Sequence, residues 1–180
     1  MLERKNQAKL LTTVGIIAAF SVLAFIGTTV IRVPIPATGG YFNLGDTFVM
    51  TAALLYGPTV GAFVGLIGPT ASDALGFPQF ILATAVIKFF EGLLIGLIAR
   101  NTINVGRIWF ALIIGIIILV GGYFIFEAYI YPTLAKTIPF FGVTDLKAAI
   151  AELLPNLLQG IFSAILAFSL WKLFKRKSNS

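Results

Sequence analysis

Apolar residues run through this chain in long unbroken blocks instead of alternating with polar ones. After a polar start carrying Arg4, Lys5 and Lys9, the first block extends from about Leu10 to Ile31. A crossing of the bilayer takes about 20 apolar residues, so this block predicts a membrane-spanning helix. It is too long for a signal-peptide core, and no small-residue cleavage site follows it. Val33 to Gly45 holds two prolines and Gly39-Gly40, which predicts a loop. A short apolar block, 46–56, is cut by Gly57-Pro58 and resumes over 58–75. These two segments predict a helical hairpin. Gly57, Gly61 and Gly65 recur at four-residue spacing, which lets helix backbones approach closely in lipid.

Gly76-Phe77-Pro78 is the next break, followed by blocks at 79–99 and 108–131, the latter ended by Pro132. Residues 132–147 are mixed and predict a loop with a short helix, and a last block covers 148–173. The pattern therefore predicts an all-α integral membrane protein: one domain over residues 1–180 with six transmembrane helices.

Composition sharpens this picture. The chain is 58% hydrophobic and 11% charged, whereas a soluble domain is about 45–50% apolar and about 25% charged. With neither Cys nor His, disulfides, thiolate nucleophiles and the commonest metal ligand are excluded, and no metal or other cofactor is expected. No phosphate-binding loop of the G-x-x-x-x-G-K-[ST] type occurs, so any ATP must be used by a partner. The net charge of +6 sorts by side. Arg4, Lys5, Lys9, Arg100, Arg107, Lys172, Lys175, Arg176 and Lys177 fall on one face of the membrane, and Arg32, Lys136 and Lys147 on the other. The positive-inside rule then places both termini in the cytoplasm. The charge reflects topology and contact with lipid, not nucleic acid.

Ionisable groups inside spans are costly and point to function. Lys88 and Glu91 lie in the fourth span, Glu127 in the fifth and Glu152 in the sixth. At 1.5 Å per residue, Lys88 sits about 12 Å and Glu91 about 16 Å from the outer end of its helix. Tyr123 and Glu127 are spaced i, i+4; Glu152, Asn156 and Gln159 are spaced i, i+4, i+7, so each set forms one stripe. Three helices thus carry polar stripes in the outer half and almost none in the inner half. Pro155 frees the carbonyl of Ala151 within the same stripe. Structural ion pairing explains Lys88 with Glu91, but not the one-sidedness of the whole set. A pore needs polar lining along its full length, so the pattern predicts a pocket open outward and closed below. The fourth, fifth and sixth helices and the loop at Val33 to Gly45 are expected to bound it.

Tyr41, Phe42, Phe77, Phe80, Phe89, Phe90, Tyr123 and Phe124 flank this zone and suit a flat ring held by stacking. Asn43 and Asp73 are candidates at the pocket mouth. Asp46 fits either a lid or a helix N-cap. On the first helix, Gly15, Ala18 and Ala19 form a small-residue face for packing against another helix.

These residues resemble the substrate-binding S-component of energy-coupling factor (ECF) vitamin transporters. The stretch FNLGDTFVMTAALLYGPTVGAFVGLIG, Phe42 to Gly68, is similar to the family's second and third helices, and IKFFEGLLIGLIAR, Ile87 to Arg100, to its fourth. The resemblance covers essentially the whole chain. It implies a prokaryotic plasma-membrane subunit, not an enzyme, that binds a small water-soluble vitamin from outside. It further implies docking through the first three helices, with Gly15, Ala18 and Ala19 in contact, on a membrane coupling subunit driven by two cytoplasmic ATPases. The subgroup it resembles is assigned to hydroxymethylpyrimidine, pyridoxine or riboflavin. The acids suit a nitrogen heterocycle with an amine, and the first two of these ligands are favoured. A stand-alone channel or structural membrane protein, and an intramembrane enzyme, are the competing classes.

Overall fold

The computed structural model describes residues 2–36, 38–137 and 144–178, and the side chains of 3–36, 38–137 and 144–175. Among the described residues seven α-helices and one hairpin follow in order: α1 (Leu2–Val30), β1 (Val33–Ile35), β2 (Gly40–Phe42), α2 (Gly45–Tyr56), α3 (Pro58–Gly76), α4 (Ile81–Ile98), α5 (Val105–Ile125), α6 (Tyr131–Ala135) and α7 (Leu146–Ser178). Among the described residues four helical stretches are long and apolar enough to cross a membrane: Glu3–Val30, Pro78–Ile98, Val105–Ala135 and Leu146–Lys175. With 12 residues, α2 is about 18 Å long, well short of the hydrocarbon thickness. It turns directly into α3 through Gly57, whose φ of 88° is open to glycine at little cost. Pro58 then occupies the first turn of α3, where no backbone N–H is missed.

The local outcomes differ from the sequence pattern in three places. The polar first residues do not stay outside the helix, because α1 begins at Leu2. The loop at Val33 to Gly45 contains an antiparallel hairpin pairing Val33 with Phe42, Pro34 with Tyr41 and Ile35 with Gly40. Three-residue strands are too short to show an alternating pattern. Pro132 does not end the fifth helix. The chain passes from α5 through a wider i→i+5 turn at Phe126–Ile130 into α6, where Pro132 sits in the first turn and is tolerated.

Packing follows the small residues. A methyl group on Gly61 would stand 2.6 Å from the carbonyl oxygen of Gly92, and one on Gly96 would stand 2.5 Å from Pro58 Cα. Methyl groups on Gly65 and Gly92 would overlap the carbonyls of Lys88 and Gly61. Helices α3 and α4 therefore touch backbone to backbone. Gly92→Ala is expected to destabilise the protein by about 1–3 kcal/mol through overpacking, read as a lower melting temperature in detergent. An unchanged melt would show that this contact can relax.

Two halves of different character result. At the end of the bundle bearing the termini, Met50, Leu54, Ile95, Ile108, Leu112, Ala167 and Trp171 form an apolar block. The buried polar side chains gather toward the hairpin end.

Candidate functional site

Lys88 is the centre of the polar half. It is 1% exposed, projecting from α4 between two carboxylates. Its Nζ lies 2.5 Å from Asp46 Oδ1 and 3.1 Å from Glu91 Oε2. Its ammonium also stands 5.5 Å from the centre of the Tyr123 ring. Asp46 is thus not a cap. The first turn of α2 has no side-chain cap, and the Asp46 carboxylate is turned inward because a buried ammonium needs a counter-ion more than a helix end needs an acceptor.

Gln159 carries this network to the hairpin end. Its Nε2 donates to Asp46 Oδ2 at 2.7 Å, and its Oε1 accepts from the backbone N–H of Asn43 at 2.7 Å and from Asn43 Nδ2 at 3.3 Å. Asn43 Oδ1 in turn accepts from Gly45 N at 2.8 Å. One glutamine of α7 thereby fixes the start of α2 and the position of Asp46.

A cavity opens beside this network. Its wall includes Asn43, Asp73, Lys88, Tyr123, Glu127, Glu152, Asn156 and Gln159. Eight of the nine expected ligand-binding residues are therefore on one wall. The ninth, Glu91, stands behind Lys88 as its partner. Thr28 of α1, Pro69 of α3, Phe80 just before α4, Thr84 of α4 and the hairpin residues Gly40 and Tyr41 complete the wall. Helices α1 and α3 join the wall as well, beyond the three helices and the loop that the sequence pointed to. Small hydroxyls give no periodic signal in an apolar helix, and this is why Thr28 and Thr84 escape a reading by charge.

Two acids, Glu127 and Glu152, belong to the same cavity wall and interact electrostatically; both are nearly fully buried. Thr38 of the hairpin turn donates to Glu152 Oε1. Among the described residues Glu127 Oε2 has no hydrogen-bond partner, and the side chain of Asn156 makes no hydrogen bond either. The cavity thus holds one unpartnered carboxyl oxygen and one unused amide. The space left between these groups is about 30 Å³, the share of one water molecule.

At the mouth, Tyr41 donates to Asp73 Oδ1. Burial, then the Asp73 carboxylate, pushes the Tyr41 phenol above its ordinary range, so it stays a donor. The guanidinium of Arg32 lies over the Tyr41 ring at 4.9 Å and the Phe77 ring at 5.1 Å. It also donates to Ser72 O and Thr28 O, both at 3.0 Å. The hairpin is therefore pinned to α3 by Tyr41, to α7 by Thr38, and through Asn43 to Gln159. Among the flanking aromatics, Tyr41, Phe80 and Tyr123 reach the cavity. Phe77 stacks outside it, Phe89 packs against Phe63 and Phe90, and Phe42 and Phe124 do not line it. Helix periodicity separates these groups only once the pocket-facing side is known.

The small-residue face lies elsewhere. Gly15, Ala18 and Ala19 are exposed on α1, and a methyl group on Gly15 would meet nothing within 4 Å. Ala18 lines a shallow apolar groove between α1 and α3, together with Val14, Val22, Phe25 and Ile67.

Comparison with known proteins gives the following. A family model described as ECF-type riboflavin transporter, S component, matches residues 5–176. A Pyrococcus woesei protein named "Uncharacterized protein in gap 3'region" is 43% identical over 98 residues, covering 54% of this chain and 66% of that protein. Among solved structures, one described as the S component of a bacterial ECF transporter superposes with a TM-score of 0.64 at 18% identity. It covers 94% of this chain and 97% of its own. The last likeness is one of fold.

Proposed function

Since the chain belongs to the family of ECF-type riboflavin transporter S components, we propose that its outer cavity binds a small nitrogen-heterocyclic vitamin or precursor, hydroxymethylpyrimidine or pyridoxine first. Family and fold make the chain a membrane transport subunit, not an enzyme. The proposal on substrate is carried by the one unpartnered carboxyl oxygen among the described residues of the cavity wall. Glu127 Oε2 is buried without a partner, and a buried acceptor of this kind favours a ligand that brings a donor. An exocyclic amine, a protonated ring nitrogen or a hydroxyl supplies one. Lys88 is occupied by Asp46 and Glu91, leaving no free cation for a phosphorylated vitamin among the described residues of the cavity wall. Tyr41, Phe80 and Tyr123 offer ring faces for stacking. A single ring also asks for less rearrangement of a 30 Å³ space than a fused tricycle. The description of the matching family favours riboflavin as the second candidate.

The supporting topology is six spans with both termini in the cytoplasm, in the plasma membrane of a prokaryote. The partners are a membrane coupling subunit and two ATPase subunits, which supply the nucleotide chemistry this chain lacks.

Mass spectrometry of small molecules released from the purified protein, followed by calorimetry with hydroxymethylpyrimidine, pyridoxine and riboflavin, tests the substrate. Asn156→Ala and Glu127→Gln are each expected to weaken binding about tenfold or more, since a hydrogen bond involving a charged group contributes about 1.5–3 kcal/mol. Unchanged affinity in both variants would remove the cavity as the binding site. Tight binding of riboflavin alone would replace the first two ligands by the third.

A further inference from the structure

At the end of the bundle opposite the cavity, four chain segments enclose a second recess of about 670 Å³. Lys9 of α1, Arg100 after α4 and Lys175 of α7 line it, with Tyr56, Thr59 and Thr102 between them. Three cations thus line the recess, two from helices and one from the turn after α4, and among the described residues no acidic residue lines it. Among the described residues none of the three has a carboxylate within ion-pair distance; Lys88 holds the ion pairs there are. Like charges gathered without a counter-ion repel, so the arrangement favours an anion between them.

The backbone adds to this preference. Helix α3 begins at the recess without a side-chain cap, leaving first-turn N–H groups and the positive end of the helix dipole toward it. Apolar side chains surround the same level: Leu10 and Leu11 on α1, Ile103 before α5, Val105 at its start, and Phe174 beside Lys175 are exposed. A free anion would use the cations and leave these side chains bare. An anionic headgroup attached to acyl chains uses both.

We propose that this recess binds the phosphate group of an anionic phospholipid, with its acyl chains along α1 and the start of α5. Basic pockets between helices at the cytoplasmic face hold acidic headgroups in this manner. The site is separate from the vitamin cavity and does not depend on which vitamin is bound.

The test uses the full chain in neutral detergent, with phosphatidylglycerol or phosphatidylcholine added and retained lipid read by native mass spectrometry. Phosphatidylglycerol is expected to be retained on the order of tenfold more than phosphatidylcholine, and the triple variant Lys9→Gln, Arg100→Gln, Lys175→Gln to lose that preference. The conservative pair Lys9→Arg, Lys175→Arg should keep it. Should the triple variant fail to fold, Arg100→Gln alone is expected to reduce the preference measurably. Equal retention of both lipids by the unaltered protein would overturn the proposal, and an acidic protein segment would then become the better occupant. Preference unchanged in a folded triple variant would overturn it too. Displacement of the lipid by millimolar inorganic phosphate would show a site for free anions instead.

Discussion

Replacing Lys88 by methionine is expected to lower the stability of the ligand-free protein by about 3–5 kcal/mol, the usual cost of removing one partner from a buried ion pair. Asp46 and Glu91 are both 0% exposed, and Lys88 is the cation that each of them faces. The substitution strands two carboxylates in an apolar bundle. The triple variant Asp46→Asn, Lys88→Met, Glu91→Gln is expected to recover most of the loss, because a neutral set of similar shape avoids the desolvation that the pair must offset. Thermal unfolding in detergent, without added ligand, measures both. If Lys88→Met melts with the unaltered protein, or the triple variant melts below the single one, the three residues are not an electrostatic unit.

Leucine at Gly15 or Ala19 is expected to abolish assembly with the coupling subunit and vitamin uptake, while the isolated variant still binds its ligand. The sequence left two explanations for these small residues, internal packing and docking. Both positions are exposed, and added atoms at Gly15 meet open space, so the fold has room for the larger side chain. A helix of a partner seated on that face does not, and overpacking there costs about 1–3 kcal/mol per site. Copurification of the two membrane subunits and radiolabelled uptake would be measured beside calorimetry. Variants that assemble and transport normally would move the docking face elsewhere. Variants that lose ligand binding and thermal stability together would point back to internal packing.

Much of the site was legible because charge is conspicuous in an apolar helix. Glu152, Asn156 and Gln159 declare a face by their spacing, and Lys88 and Glu91 do so on α4. The mostly helical membrane class followed from block lengths, and a close backbone approach from Gly57, Gly61 and Gly65, but not that α4 is the helix approached. What stayed hidden depended on partners far away in sequence. Asp46 looks like a helix cap until Lys88 is placed beside it. Thr38, Tyr41 and Arg32 lie in a loop whose sequence shows turn chemistry but not which helices it is pinned to. The hairpin itself has too few residues per strand to betray a period of two. The wider turn at Phe126–Ile130 has no sequence marker, although it carries Glu127 into the cavity.

The apolar block formed by Met50, Leu54, Ile95, Ile108, Leu112, Ala167 and Trp171 also makes the bundle an electrical insulator. Protons cross proteins along chains of water and titratable side chains, and charged groups enter hydrocarbon only at great cost. Glu91 and Lys88 form the inner limit of the polar network, and among the described residues no ionisable side chain is buried below them. An energised membrane is therefore expected to hold many copies of this subunit, filled or empty, without its ion gradients draining through them.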